Sequence, residues 1–282
     1  MSFFKQFPTQ SYDFNRDGII QQVVDIYRSV RIEGSSIDNP SLYLNYNIKD
    51  GERPDIVSQR LYNTPEYYWT FFIINEMLHD GMRAWPMSRS VMEDYLEEEY
   101  SGIAITTNPV TVTNTDLGVT TFRDSLAGRF RLNETITGQA NILNRGTGQN
   151  QAAVPTGTLV KKDIDLNQLV LKDVTGTFFG DPDLPSGRSE IITGNLSNDN
   201  VNTFRVYPYR DAPHHWHLTN DPEKRPTDNS VYVSGGTSIN DITYQSNQSF
   251  VFDLNEKRSS IRVISPQYID RFVEDFETMI NE

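Results

Sequence analysis

Tyr46-Asn-Ile-Lys-Asp-Gly-Glu-Arg-Pro-Asp-Ile-Val-Ser-Gln-Arg-Leu-Tyr-Asn-Thr-Pro-Glu-Tyr-Tyr-Trp-Thr-Phe-Phe-Ile-Ile-Asn75 strings a strand, a turn and two helices together without slack. Leu42, Leu44 and Tyr46 alternate as on a half-buried strand. Asp50-Gly51 turns the chain, and Pro54 suits a first helical position, where the N–H it lacks would have no intrahelical acceptor. Val57 and Leu61, four apart, set the inner face of a short helix that Asn63-Thr64-Pro65 ends. Tyr68, Phe72 and Ile73 then repeat at helical spacing through a second helix closing near Asn75.

That order resembles the LysM module. Its pattern is an aromatic-x-hydrophobic strand, a Gly-Asp-Thr-like turn, an Ile-Ala-x-x-Tyr helix and a second helix ending in Asn, and the match covers roughly 30 residues. The chain is similar, more closely still, to the LysM-like baseplate wedge proteins of T4-type contractile-tail phages (the gene product 53 type). Three co-linear stretches carry this: Asp25-Ile26-Tyr27-Arg28; Arg53-Pro54-Asp55 with Leu61-Tyr62 and Tyr68-Trp69; and a strand plus helix over residues 258–280. A LysM unit needs a second strand after its second helix, of the form Gly-x-x-Leu-x-Ile-Pro. Residues 76–86 lack that alternation, whereas Arg262-Val-Ile-Ser-Pro266 resembles the missing piece. The resemblance therefore implies an α+β fold: a LysM-like βααβ module interrupted by an inserted all-β domain and closed by a C-terminal helix. Residues 261–264 are expected to pair antiparallel with residues 43–48.

The rest of the chain divides accordingly. Residues 1–41 read as an N-terminal docking arm in which Ile20, Val23, Val24 and Tyr27 fit helical spacing, a short helix or an extended segment both being open. Residues 42–101 hold the first part of the module and a third helix. Ser88 or Ser90 can cap that helix, Ser90-x-x-Glu93 has the capping-box form, and Val91/Tyr95 and Met92/Leu96 are pairs four apart. Residues 102–250 are rich in Thr, Val, Gly and Asn with short alternating runs, as in a small barrel or sandwich. Glu-x-Ile-Thr-Gly recurs there at residues 134–138 and 190–194, as an internal repeat or as a chance strand-turn phrase. Residues 251–282 supply the closing strand and a helix capped by Ser265, with Pro266 first and Ile269, Phe272, Val273, Phe276 and Ile280 on one stripe.

Composition excludes several functions. A formal net charge of −13 opposes a phosphate backbone, so basic protein surfaces are better partners than nucleic acid. The absence of Cys removes disulfides, thiol nucleophiles and thiolate metal sites, and fits assembly in a reducing cytoplasm. Residues 1–8 are too short and interrupted for a signal peptide, and no apolar run approaches a membrane span of about 20 residues.

Four constellations bear on chemistry. Asp13-Phe-Asn-Arg-Asp-Gly-Ile-Ile20 fits the first eight positions of a calcium loop, but Val24 stands where the bidentate Glu belongs, so an Asx turn and no metal is expected. His214, His215 and His217 flank Trp216; on a strand only His215 and His217 share a face, which leaves zinc a ligand short. Glu93, Asp94, Glu97, Glu98 and Glu99 read as a solvated helical face and not as a glycan-cleaving pair. The LysM resemblance makes Asp50, Gly51, Glu52 and residues 78–83 candidate glycan contacts. No HExxH, Ser elbow, Walker loop or GxGxxG occurs, and no enzyme or cofactor is expected.

Tyr67, Tyr68, Trp69, Phe71 and Phe72 place aromatic rings on more than one helix face, which calls for a thick local core or a covering partner. On the second reading, Asp25, Ile26, Tyr27, Arg28, Tyr67, Trp69, Trp85, Phe272 and Phe276 are the candidate partner-binding residues. The wedge-protein resemblance implies a structural virion protein of the tail baseplate. Its partners would be neighbouring wedge subunits and a sheath-initiator-like subunit, with six copies per baseplate. The alternative is a peptidoglycan-binding LysM module of a cell-wall-targeting virion protein.

Overall fold

The computed structural model describes residues 7–26, 41–107, 110–114, 119–122, 126–140, 143, 153–180, 190–218, 232–233 and 242–281. The chain divides into two compact units, residues 1–92 with 253–282, and residues 93–252.

The first unit begins with a hairpin, β1 (Thr9–Tyr12) and β2 (Gln21–Val24), paired from Thr9↔Val24 to Tyr12↔Gln21. Of the two conformations open for the arm, its described part takes the extended one. Asp13 causes this: its carboxylate accepts the N–H groups of Asp17 (3.3 Å) and Gly18 (2.9 Å), and the loop folds back before a helical turn can start. Tyr27 and Arg28 lie outside the described residues.

β3 (Tyr43–Asn47) leads through Gly51, at φ 70°, into α1 (Pro54–Tyr62). Proline opens the helix, and Asn63 closes it in the left-handed conformation at φ 58°, donating its N–H to Gln59 O. A 3-10 turn, Glu66–Tyr68, runs on into α2 (Trp69–Ile74). The inner face differs from the Tyr68/Phe72/Ile73 expectation: Trp69, Thr70, Phe71 and Ile74 are buried, while those three are half-buried. Two further 3-10 turns, Glu76–Leu78 and Gly81–Arg83, precede α3 (Arg89–Glu99). Ser88 caps α3, its Oγ accepting Val91 N at 3.4 Å. Met92 and Leu96 are its buried pair, and Val91 and Tyr95 are exposed.

Near the C-terminus come α4 (Asn247–Ser259), the last strand β15 (Ser260–Ile264) and α5 (Ile269–Asn281). α4 corrects the expectation of strand up to residue 250. Its apolar residues Phe250, Val251, Phe252 and Leu254 form no stripe, so periodicity did not betray it. α5 starts at Ile269 and not at Pro266, because Ser265 and Tyr268 first close a turn (Tyr268 N to Ser265 O, 2.9 Å). β15 pairs antiparallel with β3, as expected, with Ile261 opposite Tyr46 and Val263 opposite Leu44.

This pairing builds the core. Val57, Phe71, Leu78, Trp85, Ile261 and Val263 form one cluster; Phe7, Trp69, Val273, Phe276 and Ile280 form a second; Ile74, Ile264 and Ile269 a third. α2 contributes to all three, which is why its rings point several ways. Asn255 exchanges two hydrogen bonds with the Met87 backbone (2.8 and 3.1 Å), so the two chain crossings of this unit lie side by side. Replacing residues 103–250 by a short Gly/Ser linker is accordingly expected to leave a soluble, cooperatively melting protein with native amide dispersion. An insoluble or molten product refutes the separability.

The second unit holds a closed six-stranded barrel in the order β10-β11-β4-β9-β8-β7. The strands are β4 (Ile103–Thr107), β7 (Thr135–Thr137), β8 (Thr156–Asp163), β9 (Gln168–Thr175), β10 (Ile191–Gly194) and β11 (Asn200–Pro208). Closure leaves no edge strand and wraps a core that includes Ile105, Ile136, Leu159, Leu169, Leu171 and Ile192. A three-stranded sheet of β5 (Val110–Asn114), β6 (Val119–Phe122) and β13 (Tyr232–Val233), and a pair of β12 (Pro213–Leu218) with β14 (Ile242–Ser246), complete the unit's described strands. The barrel starts and ends at one point, Tyr209 N donating to Gly102 O at 3.0 Å.

The Glu-x-Ile-Thr-Gly repeat is the barrel's internal dyad. Its two copies lie on β7 and β10, paired antiparallel at Thr137↔Thr193. Ile136↔Gly157 in one half matches Ile192↔Val201 in the other. Each half has an irregularity at the same place, between Leu159 and Lys161 on β8 and between Thr203 and Arg205 on β11, and β8 has a second, between Thr156 and Thr158, without a counterpart. The halves are β7-β8-β9 and β10-β11-β4, the last strand being supplied from the N-terminal side.

Candidate docking surfaces and buried polar sites

The aromatic residues expected to meet a partner are mostly core. Trp69 (3% exposed), Trp85 (8%) and Phe276 (2%) are buried within their own unit. The Trp69 ring packs on Phe276 at 4.6 Å, and Trp85 donates its Nε1 hydrogen to Glu52 O at 2.7 Å. These three rings are thus covered by their own unit. Phe272 is half-buried beside Trp69, and Tyr67, also half-buried, donates its hydroxyl to Asp270 at 3.2 Å. In the arm, Asp25 donates its N–H to Pro8 O and Ile26 is 60% exposed. Ile26 belongs to an exposed apolar group on the hairpin with Tyr12, Phe14, Ile19 and Ile20.

Of the candidate glycan contacts, Asp50, Glu52 and Leu78 are engaged by the chain itself, while His79, Asp80, Met82 and Arg83 are exposed. The buried Glu52 carboxylate accepts from Tyr46 OH (2.9 Å) and Lys49 N (3.0 Å) and pairs with Arg60, whose guanidinium also donates to Tyr46 OH. Burial first, and then the Glu52 carboxylate, push the Tyr46 phenol up from its ordinary value. Asp50 accepts Arg89 N at 2.9 Å, Gly51 makes the turn, and Leu78 is fully buried. The backbone of this loop is held in place by the Glu52 and Asp50 carboxylates. Sequence spacing did not reveal the lock, since Arg60 reaches Glu52 from the last turn of α1.

The other polar constellations have structural partners too. The Asp13 carboxyl, its pKa held low mainly by the Gly18 N–H, closes a wider loop than the expected Asx turn, and the i+2 bond of an Asx turn is made by Asp17, which accepts Ile19 N at 2.9 Å. His214 stacks on Phe250 (3.7 Å between centroids), and its Nδ1 stands 3.0 Å from Asn247 Oδ1. Asn247 donates its amide to Tyr209 O, which leaves Oδ1 as the acceptor for His214. The side chains of His215 and His217 lie outside the described residues. Glu93, Asp94, Glu97, Glu98 and Glu99 are all exposed. Among the described residues no cluster of three His, Asp or Glu is placed to hold a metal, and no helix is long and apolar enough to cross a membrane.

The most demanding polar sites are in the barrel, where each repeat buries its glutamate completely. Glu134 accepts Arg131 N (2.6 Å), Leu196 N (3.1 Å), Ser197 N (2.9 Å) and Ser197 Oγ (3.0 Å). Glu190 accepts only Gln139 N (2.8 Å) and Phe179 N (2.6 Å). Each carboxylate thus holds the residues that follow the other repeat's strand. Gly138 and Gly194 are what allow this approach, because a Cβ on either would collide with the other repeat's carboxylate. Burial pushes the Glu134 carboxyl up, but its four donors outweigh that and hold it below the ordinary range; for Glu190 burial wins and the carboxyl is raised.

A scan against protein-family models and a search of curated proteins match nothing to this chain.

Proposed function

We propose that the chain is a structural subunit of a contractile phage tail baseplate, in which a LysM-like module serves as a protein-docking clamp between wedges. One observation carries the reading: β15 returns across more than 200 residues of chain to pair with β3, so the βααβ order of β3, α1, α2 and β15 has the strand arrangement that the resemblance implies. At the Asp50–Glu52 loop the engaged carboxylates favour docking over sugar binding, because a lectin surface needs polar groups left free for the ligand. The partners are neighbouring wedge subunits and a sheath-initiator-like subunit. The test is complementation: phage lacking this gene, supplied with the protein in trans and scored by electron microscopy, should regain closed baseplates and attached sheaths. Normal baseplates without the protein overturn the proposal. Intact baseplates with failed adsorption, together with binding of the protein to cell-wall sacculi, replace it with the peptidoglycan reading.

A further inference from the structure

The two edges of the β3-β15 sheet are treated differently. Ile48 N donates to Ser259 O and Ser265 N to Leu42 O, each at 2.8 Å, so the even-numbered residues of β3 turn their backbone toward β15. By the two-residue period of a strand, Tyr43, Asn45 and Asn47 turn their N–H and C=O groups outward. On β15 the outward residues are Ser260, Arg262 and Ile264, and the last two are engaged: Asn75 donates Nδ2 to Arg262 O and accepts Arg262 N at Oδ1, both at 2.9 Å, and Tyr62 donates its hydroxyl to Ile264 O at 2.9 Å. The side-chain amide copies a strand's donor–acceptor pair. Nothing comparable covers β3 among the described residues, where β15 is its only strand partner. Leu44 is 49% exposed, and Asn45 and Asn47 are exposed as well. Exposed edges are normally guarded by lysine, proline or a bulge. Tyr43-Leu-Asn-Tyr-Asn47 carries no lysine or proline, and its ladder has no register shift.

We propose that the open edge of β3 is a docking site for an extended, basic segment of a partner protein, which adds to the sheet as a third strand antiparallel to β3. Outward backbone groups in strand register recognise another strand's backbone, and the apolar Leu44 gives an alternate side chain something to cover. Charge selects the occupant. At a formal −13 per chain, a second copy is repelled while a lysine- or arginine-bearing segment is attracted. The inference goes beyond the baseplate reading, for it holds whatever assembly supplies the segment and fails without touching the complementation result.

The probe is a synthetic acetylated peptide, Lys-Val-Thr-Val-Lys-Val-Lys, titrated into the full-length protein and followed by amide exchange and NMR. Binding should protect the amides of Tyr43, Asn45 and Asn47, with little change at Leu44 and Tyr46, whose N–H groups already serve β15. Asn45→Pro removes an outward N–H without touching the β15 ladder, and a thermal melt checks that it stays folded. It should weaken the peptide about tenfold or more, as should replacing the peptide's lysines by glutamates. Absence of binding, binding without protection at those three amides, or equal affinity for Asn45→Pro overturns the proposal. So does sedimentation showing a wild-type dimer that Asn45→Pro dissolves, because the occupant is then a second copy.

Discussion

Glu134→Ala is expected to destabilise the barrel by roughly 3–5 kcal/mol, since an N–H left without an acceptor costs about 1–3 kcal/mol, three are orphaned at once, and their partial exposure keeps each toward the low end. The three are Arg131 N, Leu196 N and Ser197 N. Glu190→Ala orphans two and should cost less. Denaturant unfolding monitored by amide exchange of the barrel strands measures both. Equal losses would show that the extra donors at Glu134 contribute nothing. The dyad-related carboxyls also predict opposite pH limbs. Glu134 is depressed in the fold, so its stabilisation is present above the ordinary carboxyl value of 4.5 and is lost as the pH falls through the lower folded value. Glu190 is raised, so its contribution is largest below 4.5 and declines as the pH rises through the higher folded value. Glu134→Gln should flatten the acid limb of a stability–pH curve, and Glu190→Gln should flatten the limb just above 4.5. An unchanged acid limb in Glu134→Gln would remove this carboxylate from the account.

What the sequence disclosed follows the physics that each pattern encodes. The closing strand was legible because Ile261 and Val263 alternate beside Pro266, and because β3 had no other candidate partner in residues 76–86. α5 was legible because Ile269, Val273, Phe276 and Ile280 fall on one stripe, all of them buried. α4 was not, because its apolar residues are consecutive. The hairpin arm was ambiguous because Ile20, Val23 and Val24 satisfy a helical spacing as well as a strand, and the deciding contact is the Asp13 side chain on backbone four and five residues ahead. The barrel's dyad was present in sequence only as five residues. The rest of its symmetry resides in register and bulge positions, which are backbone properties that different side chains share. The open β3 edge had no sequence signal of its own. It is recognised by contrast with the sealed edge, which depends on Asn75 reaching residue 262.

The aromatic surplus around α2 left a thick local core and a covering partner both open in the sequence, and the packing found here has a measurable consequence. Rings on several faces of a helix imply either a covering partner or neighbours on every side, and here the neighbours are β15 and α1 on one side and α5 on another. Trp69→Ala removes the ring that meets Phe272 and Phe276, and Trp85→Ala removes the ring that meets Phe71 and Phe72 together with the Nε1 hydrogen bond to Glu52 O. Each should lower the stability of the first unit by about 3–5 kcal/mol, the usual cost of truncating a large buried aromatic. Trp85→Phe should recover most of the packing but leave the Glu52 carbonyl without its donor, a residual cost of about 1–3 kcal/mol. Thermal and denaturant melts of the isolated protein separate this from a docking role. A hot spot at an interface would leave the free protein's stability unchanged and weaken only the complex. If either alanine variant melts like the wild type yet fails to restore baseplates, the ring belongs to an interface after all. A loss already present in the isolated protein assigns it to the core, and leaves docking to the exposed groups of the hairpin and of β3.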